Sequence, residues 1–224
     1  GNPEIPLNDG KEALQYLREN AESLHIDPRQ VGVMGFSAGG HLASTIATHL
    51  TGDELPAFQV LFYPVITMEA NYTHAGSREN LLGKNPSKEL VTLYSNDKQV
   101  TLETPPAYIC WASDDGTVKP TNSLKYRAAL KGAGVPVTTK TFSSGGHGFG
   151  FNTSFSYHNQ MLQDLTKWLQ GLDDVYDGIQ TTENVQSSTL NAQSDHVYDL
   201  SGRNVNSQSR KGIYITNNKK KILQ

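Results

Sequence analysis

Cysteine is nearly absent from this chain: Cys110 is the single one among 224 residues. No disulfide can form within it, and a lone thiol in an apolar, strand-like run is expected to be a buried, inert packing group. Charge of either sign is sparse. Lys and Arg total 19 against 22 Asp and Glu, a net charge of −3. That balance gives no electrostatic reason to expect nucleic acid or an anionic membrane surface as a partner. No apolar run reaches the roughly 20 residues that cross a bilayer, so no membrane span is expected. There is no H-E-x-x-H and no Cys/His cluster at ligand spacing, so no metal is expected. A phosphate loop and a dinucleotide glycine fingerprint are missing too, and no cofactor is expected.

What is present starts with Gly35-Phe36-Ser37-Ala38-Gly39. The pentapeptide follows the apolar run Val31-Gly32-Val33-Met34 and precedes a helix-like run from Ala38 to Leu50. Strand, G-x-S-x-G and helix in that order make a nucleophile elbow. The reason is steric. A serine in a tight strand-to-helix turn is strained, and its neighbours must be small. Gly35 and Gly39 are expected to remove Cβ atoms that would collide. The turn presents the Ser37 hydroxyl at a helix N-terminus. The Ala38 backbone N–H then faces the space where an oxyanion would form.

A serine nucleophile needs a base, and the base needs an orienting acid. Pro106 to Ala112 reads as a buried strand and ends in Ser113-Asp114-Asp115-Gly116-Thr117-Val118. Val135 to Phe142 alternates like a strand and ends in Ser143-Ser144-Gly145-Gly146-His147-Gly148-Phe149-Gly150. The glycines around His147 suit an imidazole on a mobile loop that reaches back over the sheet edge. All three candidates follow strands, at the carboxyl ends where open α/β sheets hold their sites. Ser37, Asp115 and His147 are therefore the expected catalytic residues. Ser37 attacks, His147 moves the proton, and a carboxylate fixes the imidazole. Asp115 is preferred because it stands three residues before the apolar Val118; Asp114 is the alternative.

Singly, each feature has a plain reading. A serine after a strand can be a helix cap, a glycine-flanked histidine a loop residue, and Asp-Asp-Gly a turn. The order Ser, Asp, His after the right elements is what carries the triad. His41, one helical turn after Ser37, is expected to pack or cap rather than act as base. His25, His49, His74, His158 and His196 show no partner spacing.

The chain is long enough for one medium domain and a small appendage. Asn8-Asp9 with Glu12 predicts a helix start, with Leu14, Leu17, Ala21 and Leu24 at helical spacing and Asp27-Pro28 as its end. Residues 58–66 predict a second apolar strand. Residues 67–104 predict an insertion over the site, with a short helix from Pro86 to Tyr94. A helix over 120–131 has Leu124, Ala128 and Leu130 as its apolar members. Another over 156–170 carries Met161, Leu162, Leu165, Trp168 and Leu169 and is expected to pack on the sheet and support the His147 loop. Domain boundaries follow: 1–172 catalytic, 173–195 a polar linker, 196–224 a small β tail. In the tail, residues 196–200 are expected to turn at Ser201-Gly202 into 203–205, and 212–215 to turn at Asn217-Asn218 into 219–223. Lys219-Lys220-Lys221 reads as a solvated strand edge rather than a nucleic-acid patch.

The motifs of residues 5–170 resemble the acetylxylan esterase-like branch of the α/β-hydrolase superfamily, carbohydrate esterases that act on plant polysaccharides. The resemblance rests on V-G-V-M-G-F-S-A-G-G-H-L-A-S at 31–44, G-S-R-E-N-L-L-G-K-N-P-S at 76–87, and the Asp115 and His147 loops. It implies a mostly parallel sheet flanked by helices and a serine carboxylester hydrolase whose substrate is a small ester or acetylated oligosaccharide. For Arg78 and Asn80 an internal salt bridge or turn is the expectation. The tail, with V-Y-D-L-S-G-R at 197–203 and K-G-I-Y-I at 211–215, resembles C-terminal sorting segments of secreted or surface proteins of gut bacteria. That implies a secreted, periplasmic or cell-surface location, with a signal peptide upstream of this chain.

The family begins with further strands and a His-Gly-Gly-Gly loop that supplies a second oxyanion donor. No such loop precedes the nucleophile strand here. The expectation is a sheet lacking its first strands, an oxyanion site left with Ala38, and a nucleophile strand whose free edge pairs two copies as a homodimer. One lost donor costs about 10²–10³ in rate. The rival readings are a hydrolase remnant that binds carbohydrate at a surface, and a peptidase of the same superfamily. The latter's usual N-terminal propeller has no repeat here.

Overall fold

The computed structural model describes residues 1–172, together with the backbone of three strands beyond them. The chain divides into two units, Gly1–Leu162 and Gln163–Gln224. In chain order the elements are α1 (Glu4–Glu19), α2 (Ala21–Leu24), β1 (Val33–Phe36), α3 (Ala38–His49), β2 (Gln59–Phe62), α4 (Ala75–Leu82), α5 (Lys88–Leu93), β3 (Ala107–Ala112), α6 (Thr121–Gly132) and β4 (Val137–Phe142). A further helix, α7, covers 158–172.

The four strands form one parallel sheet in sequential order. Each crossover contains a helix, as parallel pairing requires. Every residue of β2 and β3 is buried, the pattern of central strands covered on both faces. Cys110 lies in β3, where burial pushes its thiol pKa up, so the inert reading holds. β1 and β4 are the edges. Among the described residues no strand pairs with the outer side of β1.

The order of strands and helices follows the sequence reading, but several boundaries move. α1 starts at Glu4, ahead of the Asn8-Asp9 signal, because Pro6 falls in its first turn, where no intrahelical N–H bond is lost. The chain then breaks at Asn20 and again at His25, which adopts a left-handed conformation with φ 54°. β2 ends at Phe62 rather than running to 66, because Tyr63 turns the chain with φ 37°. The insertion holds two helices, not one. α5 is capped by Ser87, whose Oγ accepts from the Leu90 N–H, and α4 by His74, whose Nδ1 accepts from the Ser77 N–H. α6 buries Asn122, Ser123, Tyr126 and Leu130 and leaves Leu124 exposed. Its inner face is partly polar because those side chains meet partners. The Tyr126 hydroxyl donates to Gln59 Oε1 at 2.9 Å, and Gln59 donates to the Pro105 carbonyl.

The second unit contains a three-stranded antiparallel sheet of β5 (Tyr198–Asp199), β6 (Gly212–Thr216) and β7 (Lys219–Leu223). The hairpin through Asn217-Asn218 is present, with Thr216 opposite Lys219. The other expected hairpin, turning at Ser201-Gly202, falls outside the described residues. The strand at 198–199 pairs with β6, Tyr198 opposite Ile215, so it adds to the existing hairpin. Residues 203–205 and the predicted linker at 173–195 lie outside the described residues.

Candidate active site

Ser37 joins β1 to α3 with φ 54° and ψ −119°, one of three non-glycine residues at positive φ among those described. Such strain is held only by its surroundings. Here the Ser37 N–H donates to the Phe62 carbonyl at 3.0 Å, and its own carbonyl accepts from Val65 and His41. A Cβ on Gly35 would lie 2.1 Å from the Gly39 carbonyl oxygen. One on Gly40 would lie 2.7 Å from Pro64 Cβ, whereas one on Gly39 would meet nothing within 4 Å. The expectation for Gly39 is thus corrected. It sits early in α3, where its Cβ direction leads to solvent, and the crowded pair is Gly35 and Gly40.

His147 follows the edge strand β4, and its ring reaches Ser37 across two intervening strands. Ser37 Oγ lies 2.8 Å from His147 Nε2, and His147 Nδ1 lies 2.7 Å from Asp115 Oδ2. The other oxygen of Asp115, Oδ1, accepts from the backbone N–H groups of Thr117 and Val118, both at 2.9 Å. Asp115 is buried, while His147 keeps part of its ring open to solvent. Val118 closes the loop from the core. Of the two candidate carboxylates, Asp115 meets the imidazole. Asp114 is exposed and accepts instead from the N–H groups of Gly145 and Gly146, at 3.3 and 2.8 Å. The Gly146 bond leads in holding its carboxyl below the usual pKa.

The glycines of this loop take backbone conformations that side chains disfavour. Gly145, Gly146, Gly148 and Gly150 all have positive φ, at 139°, 60°, 86° and 45°. Around them Phe149 stacks on Phe155 with ring centroids 4.3 Å apart, and the Tyr63 ring meets His147 edge-on at 4.7 Å.

Ala38 opens α3, where the first N–H groups of a helix have no intrahelical acceptor. Beside it a cavity of about 400 Å³ is lined mainly by Pro6, Ala38, Leu42, Met68, Leu81 and Tyr94. Asn80 is also among its lining residues. Arg78 makes no salt bridge in the described structure; its Nε donates to the Met68 carbonyl at 3.0 Å and ties α4 to the loop after β2.

His41 is buried and lies 2.8 Å from the Tyr94 carbonyl through Nε2. Burial lowers its pKa to about 4, so it is neutral at pH 7 and is a packing residue, as expected. Sequence reasoning missed two asparagines that frame the site. Asn96 donates from Nδ2 to the His41 carbonyl and to Ser44 Oγ. Asn122 accepts on Oδ1 from the N–H groups of Ile66 and Thr67 and donates to the Tyr72 carbonyl. Neither has a sequence signature, because what they satisfy is brought near only by the fold. Among the described residues there is no cluster of metal-ligating side chains.

Residues 4–151 match the family described as the alpha/beta hydrolase fold. The chain is 43% identical over 176 residues to an acetylxylan esterase of Xylanibacter ruminicola, covering 77% of this chain and 37% of that protein. It is 37% identical over 154 residues to endo-1,4-beta-xylanase B of Butyrivibrio fibrisolvens, covering 64% and 24%. It thus spans well under half the length of these two relatives. A crystal structure of an acetyl ester-xyloside bifunctional hydrolase from Caldicellulosiruptor lactoaceticus superposes with a TM-score of 0.73 at 37% identity, covering 77% of this chain and 68% of that one. With a parallel sheet, a serine elbow and a match over most of its length, the chain belongs to the α/β-hydrolase family.

Proposed function

We propose that this protein is a serine carboxylester hydrolase that removes acetyl groups from plant polysaccharides or oligosaccharides. The observation that carries the proposal is the unbroken chain of bonds from Ser37 Oγ through His147 to Asp115, mounted on a strained elbow. Ser37 Oγ attacks the ester carbonyl carbon while His147 Nε2 takes its proton. Asp115 holds Nδ1–H and stabilises the imidazolium. The Ala38 N–H donates to the oxyanion of the tetrahedral intermediate. Collapse breaks the C–O bond to the sugar, and His147 returns the proton to the leaving hydroxyl. A water deprotonated by His147 then attacks the acyl-serine, releasing acetate and Ser37.

The acetyl substrate is supported by the names of two similar proteins, an acetylxylan esterase and an acetyl ester-xyloside hydrolase. Nothing in the geometry or the relatives favours the remnant or the peptidase reading. An oxyanion site that rests on the Ala38 N–H, pairing of two copies through the outer side of β1, and a location outside the cytoplasm all belong to the proposal. The location rests on the resemblance of the tail. No helix among the described residues is long and apolar enough to cross a membrane.

The test is acetate release from acetylated xylo-oligosaccharides, beside a peptide amide. Release from the sugar alone is expected. Cleavage of the peptide, or of neither in a folded sample, contradicts the proposal.

A further inference from the structure

The base of a serine hydrolase must keep its ring within hydrogen-bond reach of both the nucleophile and the acid. In this chain that ring stands on a loop whose Gly145, Gly146, Gly148 and Gly150 give little intrinsic stiffness. Two side chains from elsewhere in the sheet hold the loop. Before His147, the Asp114 carboxylate accepts from the N–H of Gly145 and of Gly146, one on each oxygen. After it, the Tyr63 hydroxyl accepts from the Gly150 N–H at 3.0 Å. Asp114 follows β3 and Tyr63 follows β2, so each is set by a buried central strand.

Tyr63 carries a second observation. A bulky aromatic residue at φ 37° is a true backbone outlier. Its N–H donates to the Cys110 carbonyl at 2.7 Å, its ring lies edge-on to His147, and it is buried. Among the described residues, Ser37 and Tyr63 are two of the three non-glycine residues at positive φ, and both touch His147. Backbone strain concentrates where a structure over-determines a functional position.

We propose that Asp114 and Tyr63 are positioning residues that clamp the two ends of the His147 loop and so keep the imidazole aligned between Ser37 and Asp115. The adjacent carboxylates divide the work: Asp115 holds the ring and Asp114 holds the backbone beneath it. Neither clamp touches substrate, so their loss acts on the proton-transfer step and leaves substrate affinity alone. This inference rests on the proposed role of His147.

Three variants test it: Asp114→Ala, Asp114→Asn and Tyr63→Phe. With p-nitrophenyl acetate, Asp114→Ala and Tyr63→Phe are each expected to lower kcat by about 10-fold, and together by about 100-fold, with KM unchanged. Asp114→Asn keeps one acceptor oxygen for Gly146 and is expected to recover part of the loss. An activity-independent measurement accompanies these. The proton on His147 Nδ1, shared with Asp115, is expected as a low-field proton resonance that weakens in both clamp variants. A resonance unchanged in both variants, or a loss that falls on KM instead of kcat, overturns the proposal. If the native chain hydrolyses no ester but its resonance weakens in the variants, the clamp stands and the esterase reading falls.

Discussion

Asp115 uses its two oxygens for different tasks: Oδ2 lies 2.7 Å from His147 Nδ1, and Oδ1 takes the backbone N–H groups of Thr117 and Val118. A carboxylate held this way cannot rotate away from the imidazole without breaking two further bonds. It accepts at the ring without being free to follow it.

The expected outcome for Asp115→Asn is a fall in kcat of about 10⁴-fold, because an amide that presents its NH₂ to Nδ1 favours the wrong tautomer. Asp114→Asn, the neighbouring change, is expected to cost far less. Steady-state kinetics on the two variants side by side checks the assignment. A larger loss at 114 than at 115 would reverse it.

Gly35→Ala and Gly39→Ala are expected to differ in sign. At 35 the new Cβ would stand 2.1 Å from the Gly39 carbonyl, so the elbow must open, at about 3 kcal/mol. At 39 it meets nothing, and the helix gains about 0.5–1 kcal/mol from alanine. Urea denaturation of each variant measures both. Equal destabilisation would contradict the geometry of the elbow.

The sequence made part of this readable. G-x-S-x-G between an apolar strand and a helix located Ser37, and the positions of Asp115 and His147 after strands followed from the same logic. Gly39 was misread because the motif is symmetric on paper, whereas the direction of a Cβ is set by the turn itself. The start of α1 was misread because a strong Asn-Asp signal competes with a proline that a first turn tolerates. Leu124 is an apolar member of its helix, yet α6 leaves it exposed and buries Asn122 and Tyr126. Buried polar groups of that kind are decided by partners distant in sequence.

Asn122→Ala is expected to destabilise the fold by about 3 kcal/mol. It leaves the N–H groups of Ile66 and Thr67 in a buried place without their acceptor. A loss under about 1 kcal/mol in chemical denaturation would mean those groups find another partner.

His41 gives a pH signature. Its folded pKa of about 4 lies below its ordinary 6.5, so between those values the unfolded chain binds the proton and the folded one does not. Stability contributed by neutral His41 is therefore complete above pH 6.5 and lost as pH falls towards 4, up to about 3 kcal/mol. Denaturation of the native chain and of His41→Gln across that window should show a shallower acid dependence in the variant. Parallel curves would contradict burial as the cause.

Pairing through the outer side of β1 predicts a dimer in sedimentation velocity at micromolar concentration. A monomer there rules that pairing out.

The most direct measurement is hydrolysis of p-nitrophenyl acetate by the native chain and by Ser37→Ala, with mass spectrometry after exposure to an organophosphate. The account predicts turnover that the substitution abolishes and a single adduct on Ser37. A folded native chain with no adduct on Ser37 and no turnover above Ser37→Ala would contradict it.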